Sequence, residues 1–219
     1  MISKTDAICL SYIKYKEASI ILKLFTRESG LQSFIVNSVR SQRAKRKLGF
    51  FEPLTFLEVV YYQSKSSDIH RLSEFRIKKA HHNIRFDGKK AAMTMFLTEF
   101  LSKVLAAEQA GNDELFEYLI NQISRLDHLS EDFESLHLSI LLGLTRHLGF
   151  AYDPTTMHLP ESSNAIDDFV ARLLLSDQQV SASGKLRSEA LTGIIEYYRI
   201  HTGQTLNIKS LSILQSLFS

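Results

Sequence analysis

The densest run of chemistry-bearing side chains lies in residues 39–49, Val-Arg-Ser-Gln-Arg-Ala-Lys-Arg-Lys-Leu-Gly. Arg40, Arg43, Lys45, Arg46 and Lys47 are cationic there and no residue is acidic. Like charges at this density repel one another and suit a polyanion such as a phosphate backbone. Further cations stand at Arg71, Arg76, Lys78, Lys79, Lys89 and Lys90, with Phe25, Phe34, Tyr61 and Tyr62 as possible stacking faces for unpaired bases. Phe25 and Phe34 fit a core better than a base platform. Tyr61 and Tyr62 are adjacent, so in a strand only one of them faces outward. If about six cations each neutralise one phosphate, log K falls with log salt at a slope of about −5.

A basic run alone is often only solvated surface, and the net charge of the chain is just +2. That figure hides a division. Residues 1–90 carry 18 Lys/Arg against 8 Asp/Glu, a net +10, whereas residues 91–219 carry 8 against 16, a net −8. Ten excess charges in one compact region attract polyanions, and the acidic remainder does not. Two halves of opposite sign imply two tasks.

Catalytic constellations are missing from the sequence. No Gly-rich phosphate loop ending in Lys-Ser/Thr occurs, which argues against ATP use. His81 and His82 would diverge by about 100° on a helix and chelate a metal poorly. His137 and His147 read as packed or surface histidines on an amphipathic helix. Cys9 lies in a strand with no neighbour that would lower its pKa. Glu131, Asp132 and Glu134 read as acids at a helix start, favoured there by the macrodipole. The chain is expected to be no enzyme and to need no cofactor. One cysteine excludes an internal disulfide and a cysteine-rich zinc site. The N-terminus lacks a signal-peptide pattern, and the longest charge-free apolar stretch is about half the ~20 residues of a membrane span. A cytoplasmic protein with no membrane association is expected.

The elements that must carry the cations follow from periodicity. Residues 6–14 and 19–27 alternate with period two, the latter placing Ile20, Leu22 and Leu24 on one face and Ile21, Lys23, Phe25 and Arg27 on the other. Glu28-Ser29-Gly30 is a hairpin turn, and residues 31–38, 55–63 and 69–77 complete five half-buried strands. Five short strands in under 80 residues fit a small closed barrel, either an OB-fold or an SH3-like one. Beyond Asp87 the period becomes helical. Asn112 reads as an N-cap, Ser130 as the cap of a helix carrying Phe133 to Leu148, and Gly149 and Gly203 as C-terminal glycines. Residues 150–164, with Pro154 and Pro160, are a loop, and two or three helices follow. The fold class is thus α+β: a basic barrel over residues 1–80, then an all-α helical domain over 81–219.

Several segments carry a resemblance. Thr5-Asp6-Ala7-Ile8, Tyr15-Lys16-Glu17-Ala18-Ser19, the turn signature Leu24-Phe25-Thr26-Arg27-Glu28-Ser29-Gly30-Leu31, the basic run, and Phe51-Glu52-Pro53-Leu54 follow in an order and spacing that resembles the bacterial RecO recombination mediators. The match spans about 80 residues. Arg146-His147-Leu148-Gly149-Phe150 and Tyr197-Tyr198-Arg199-Ile200-His201 add a looser likeness in the helical part. The resemblance implies an N-terminal OB-fold, binding of single- and double-stranded DNA, annealing of complementary strands, and help in loading RecA onto DNA coated with single-strand-binding protein. It also implies RecR and the acidic C-terminal tail of single-strand-binding protein as partners, and a cytoplasmic, nucleoid-associated location. The family's barrel contacts with DNA map onto Arg40, Arg43, Lys45, Arg46 and Lys47, and charge and face extend them to Lys23, Arg27, Arg71 and Arg76. Arg125, Arg146 and Arg172 are candidates for the acidic tail. Some relatives carry a four-cysteine zinc module where residues 150–164 stand; this loop has no cysteine, and no metal is expected. The competing readings are an OB-fold RNA-binding accessory factor and a scaffold whose basic barrel holds an acidic protein.

Overall fold

The computed structural model describes residues 1–37, 48–63, 67–175 and 180–218. Five strands, β1 (Ile2–Tyr15), β2 (Ser19–Thr26), β3 (Gly30–Val36), β4 (Phe56–Tyr62) and β5 (Ile69–Lys79), close into a barrel in the order β1-β2-β3-β5-β4. Every pairing is antiparallel except β3 with β5, a parallel ladder running only from Ser33↔Ile69 to Ile35↔Arg71. This is the five-stranded OB-type barrel, and the class is α+β. Six helices follow among the described residues: α1 (Gly88–Val104), α2 (Asp113–His128), α3 (Leu136–His147), α4 (Asn164–Leu175), α5 (Gly184–Thr202) and α6 (Leu211–Phe218).

The chain forms two compact units. Met1–His82 with Thr98–Ile120 makes the first, and Asn83–Leu97 with Asn121–Ser219 the second. In the first, the inward positions of the strands form the barrel core: Ile20, Leu22, Leu24, Phe34, Leu57 and Val59 are fully buried, and Phe51 enters from a 3-10 turn. The predicted Ile20/Leu22/Leu24 face is therefore the interior one.

Half-buried strands were too simple an expectation for β1. Ala7, Ile8, Cys9 and Leu10 are all buried, so both faces are covered. The outward row Phe25–Ile8–Phe56, aligned by register, lies under Phe116 of α2, whose ring stacks on Phe25 at 6.1 Å and tilts against Phe56 at 6.0 Å. The turn between β2 and β3 is equally enclosed. Gly30 sits at φ +64°, and a Cβ there would stand 1.9 Å from the Glu108 carbonyl oxygen, which accepts from the Leu31 amide at 2.8 Å.

Capping follows the sequence at most ends. Asn112 Oδ1 accepts from the Leu115 amide at 3.0 Å, and Gly203 closes α5 in the left-handed region. Ser130 is a correction. α3 starts at Leu136, behind turns that put Asp132 at φ +54°, so Glu131 and Asp132 precede the helix rather than face its dipole. Glu134 instead pairs with Lys89 at 3.2 Å.

In the second unit the core is crossed by polar side chains that are satisfied in unusual ways. Lys90, almost fully buried, donates to the Asp127 carbonyl at 3.0 Å, while the Asp127 carboxylate accepts from the amides of Asn83 and Ile84. The loop before α4 is tied by Tyr152, whose hydroxyl donates to the Met157 carbonyl, and by His158 against Asp167 at 2.7 Å. Ser162 also donates to Asp167. Among the described residues no three His, Cys, Asp or Glu side chains stand together as a metal site, and no helix is long and apolar enough to cross a membrane.

Candidate nucleic-acid interface

Register fixes which side chains share the barrel exterior, because strand side chains alternate. Ile13, Ile21, Ile35, Arg71 and Tyr62 form one outward row across β1, β2, β3, β5 and β4, ending on Ile2. Ser11, Lys23, Ser33 and Ile69 form the next row. Between them the inward positions Leu22, Phe34, His70 and Tyr61 are buried. The His70 ring stacks on Tyr61 at 5.3 Å, and burial pushes its pKa below the ordinary imidazole value. Ile13 is 62% and Tyr62 47% exposed, while Ile21, Lys23, Ser33 and Ile35 between them are half-buried.

The predicted cations fall into distinct situations. Arg40, Arg43, Lys45, Arg46 and Lys47 lie outside the described residues, in the segment that continues from the end of β3. Arg71 is exposed and makes no ion pair among the described residues. Lys23 is half-buried, and its ammonium donates to the Ser102 carbonyl in the last turn of α1 at 3.3 Å, where a helix terminus favours a cation. Arg27 and Arg76 are neutralised by carboxylates. Arg76 grips Glu58 with two nitrogens at 2.7 and 2.9 Å, and Lys4 approaches the same carboxylate at 3.1 Å. Hydrogen bonding from Arg76 and Lys4 holds the Glu58 carboxyl below its usual range. Arg27 pairs with Glu117 and with Asp113 at 3.3 Å, lies 3.8 Å from Asp6, and covers the Phe116 ring at 4.5 Å. Lys78 joins Asp6 at 2.9 Å. Lys4, Arg27, Arg76 and Lys78 thus meet Asp6, Glu58, Asp113 and Glu117, a patch of no net charge.

Of the predicted stacking groups, Phe25 and Phe34 are fully buried and Tyr61 is 5% exposed, leaving Tyr62 as the outward one. Sequence reasoning missed the β1–β2 hairpin tip. Tyr12 and Tyr15 are both exposed, and Lys16 lies 5.3 Å over the Tyr15 ring. The alternation Tyr-Ile-Lys-Tyr-Lys over residues 12–16 was the available signal. The loop between the first two strands is one that OB-folds use for oligonucleotides.

The cations proposed for an acidic partner are spread over three helices. Arg125 is exposed on α2 and donates to Gln122 at 3.1 Å. Arg146 is exposed in the last turn of α3. Arg172 on α4 pairs with Asp168 at 3.3 Å. Nothing in the spacing of the chain singled out Arg187, whose guanidinium donates to the Ala182 carbonyl and, at 2.8 Å, to that of Phe218. It also faces His137, which is 2% exposed and whose pKa burial, aided by the Arg187 charge, depresses to about 3.

Known proteins similar to the chain agree with this architecture. The family model described as Recombination protein O N terminal matches residues 1–81, and that described as Recombination protein O C terminal matches residues 85–158. The DNA repair protein RecO of Flavobacterium johnsoniae is 31% identical over 236 residues, covering 99% of both chains. Its counterpart in Bacteroides fragilis is 31% identical over 242 residues and covers all of both. With a barrel and a helical part each matched in order and relatives aligned from end to end, the chain belongs to the RecO family of DNA repair proteins.

Proposed function

We propose that this chain is a recombination mediator without catalytic chemistry of its own. It binds single- and double-stranded DNA, anneals complementary strands and helps load RecA onto DNA coated with single-strand-binding protein. The observation that carries the reading is the net +10 of residues 1–90, set beside the exposed Arg71 and Tyr62 on the outer side of the barrel. Arg40, Arg43, Lys45, Arg46 and Lys47 hold phosphates, Arg71 adds a further contact from the barrel, and Lys23, Arg27 and Arg76 contribute less. Binding two strands on one cationic surface screens their mutual repulsion, and base pairing then proceeds without catalysis. In this reading residues 1–80 serve the DNA and the acidic residues 81–219 serve protein partners: RecR, and the tail of single-strand-binding protein at Arg125, Arg146 or Arg172. The work is done at the nucleoid.

The test is annealing of two complementary fluorescent strands across a salt series, with and without single-strand-binding protein. Salt-sensitive annealing that persists on coated strands is expected. Reversing Arg43, Lys45 and Arg46 together to Glu should abolish annealing while leaving the circular dichroism spectrum intact; unchanged annealing would refute the assignment of the basic run. Tighter binding to RNA than to DNA of equal sequence would favour an RNA-binding accessory role instead.

A further inference from the structure

Where the short β3–β5 ladder stops, the strands part and leave a cavity of about 410 Å³. Two backbone features create it. The parallel pairing ends at Ile35↔Arg71, and the β4–β5 register shifts between Val60 and Tyr61, so that Ser73 faces no β4 residue. Such bulges re-aim side chains at the edge of a site. Val36, Leu72 and Phe75 supply an apolar side of the cavity, Asn37 and Ser73 a polar one, and the exposed Tyr62 and Arg71 complete the lining. The Asn37 side-chain Oδ1 accepts from the Ser19 hydroxyl at 3.0 Å.

We propose that this cavity takes one unpaired base of a DNA strand, with Tyr62 stacked on the ring, Asn37 and Ser73 at its polar edge, and Arg71 on the adjoining phosphate. The proposal rests on the DNA-binding reading and adds to it a means of preferring single strands. Cationic side chains alone attract either form of DNA. A flat ring with polar edges needs a stacking partner, convergent polar groups and some apolar surface, and the cavity lining supplies all three, its polar share the larger. A paired base reaches such a pocket only by leaving its stack, which is costly in an intact duplex. Arg71 is the one predicted barrel cation within the described residues that is exposed, without an ion pair there, and part of this lining.

The chain has no tryptophan, so Tyr62→Trp gives a single reporter at the site. The probes are a 16-nucleotide thymidine strand and an abasic strand of equal length and charge, with binding followed by anisotropy and stacking by tryptophan emission. The thymidine strand should quench emission and bind about tenfold more tightly than the abasic one, in line with the usual worth of one stacked base. Tyr62→Ala, checked for an unchanged circular dichroism spectrum, should lose most of that preference. Unchanged emission while anisotropy reports binding, or a tenfold preference kept by Tyr62→Ala, overturns the base pocket and leaves the DNA-binding reading standing. Failure of the wild-type chain to bind either strand overturns both.

Discussion

Arg71 and Arg76 sit on the same strand five residues apart, and their surroundings make them unequal. Arg76 is bound to Glu58 by two hydrogen bonds, while Arg71 has no carboxylate beside it among the described residues. Arg71→Gln should therefore weaken DNA binding several-fold and lower the salt slope by about 1, while Arg76→Gln changes it little. Equal losses in a salt-titrated binding assay would show that the Glu58 pair opens for DNA. This difference was illegible in the sequence, because Glu58 lies 18 positions from Arg76, and Glu117 lies 90 from Arg27. Spacing can find cations; only the fold decides which are already neutralised. His137 carries a prediction of its own. Its folded pKa of about 3 lies below the ordinary 6.5, so the unfolded chain takes up a proton that the folded one refuses. The associated stability is complete above pH 6.5 and erodes as pH falls toward 3, at up to about 1.4 kcal/mol per pH unit. Denaturation midpoints from pH 7 to pH 4 should show this slope, and His137→Leu should flatten it.

At the scale of elements, the hairpin between β2 and β3 is held by its glycine. Any side chain at residue 30 meets the Glu108 carbonyl and must also adopt a left-handed backbone. Gly30→Ala should cost about 2 kcal/mol or more, read as a lowered thermal midpoint; an unchanged midpoint would mean that the segment carrying Glu108 yields freely. The turn was legible from Glu28-Ser29-Gly30, since a short hairpin needs a residue tolerant of positive φ. The contact on its far side was not, being made by residues about 80 positions away. The same asymmetry runs through the strands. Alternation identified Ile20, Leu22 and Leu24 as one face, but could not say that Phe116 would cover Phe25 on the other. Local cap chemistry located Asn112 and Gly203. It misplaced the start of α3, because Ser130 has the right side chain whereas the turns of residues 131–135 have the backbone that decides.

For the whole molecule, the opposed charges of the two parts of the sequence were countable at once, and the barrel was legible from five strands with turns between them. The distribution of that charge over the barrel surface was not. One exterior patch is balanced, with four cations against four carboxylates, while the rows bearing Arg71 and Tyr62 lack such compensation among the described residues. The closure of the barrel also has a dynamic consequence. The β3–β5 ladder joins three residue pairs, whereas every other ladder joins seven or eight. Breaking the ring at that seam sacrifices the fewest hydrogen bonds, so those backbone amides of residues 33–35 and 69–71 that donate across it should exchange with solvent before the paired amides of β1 and β2. Hydrogen-exchange mass spectrometry would read this directly, and uniform protection around the barrel would contradict it. The barrel is then less a rigid ring than a bracelet with a clasp, and a strand of DNA laid across the clasp would slow its opening.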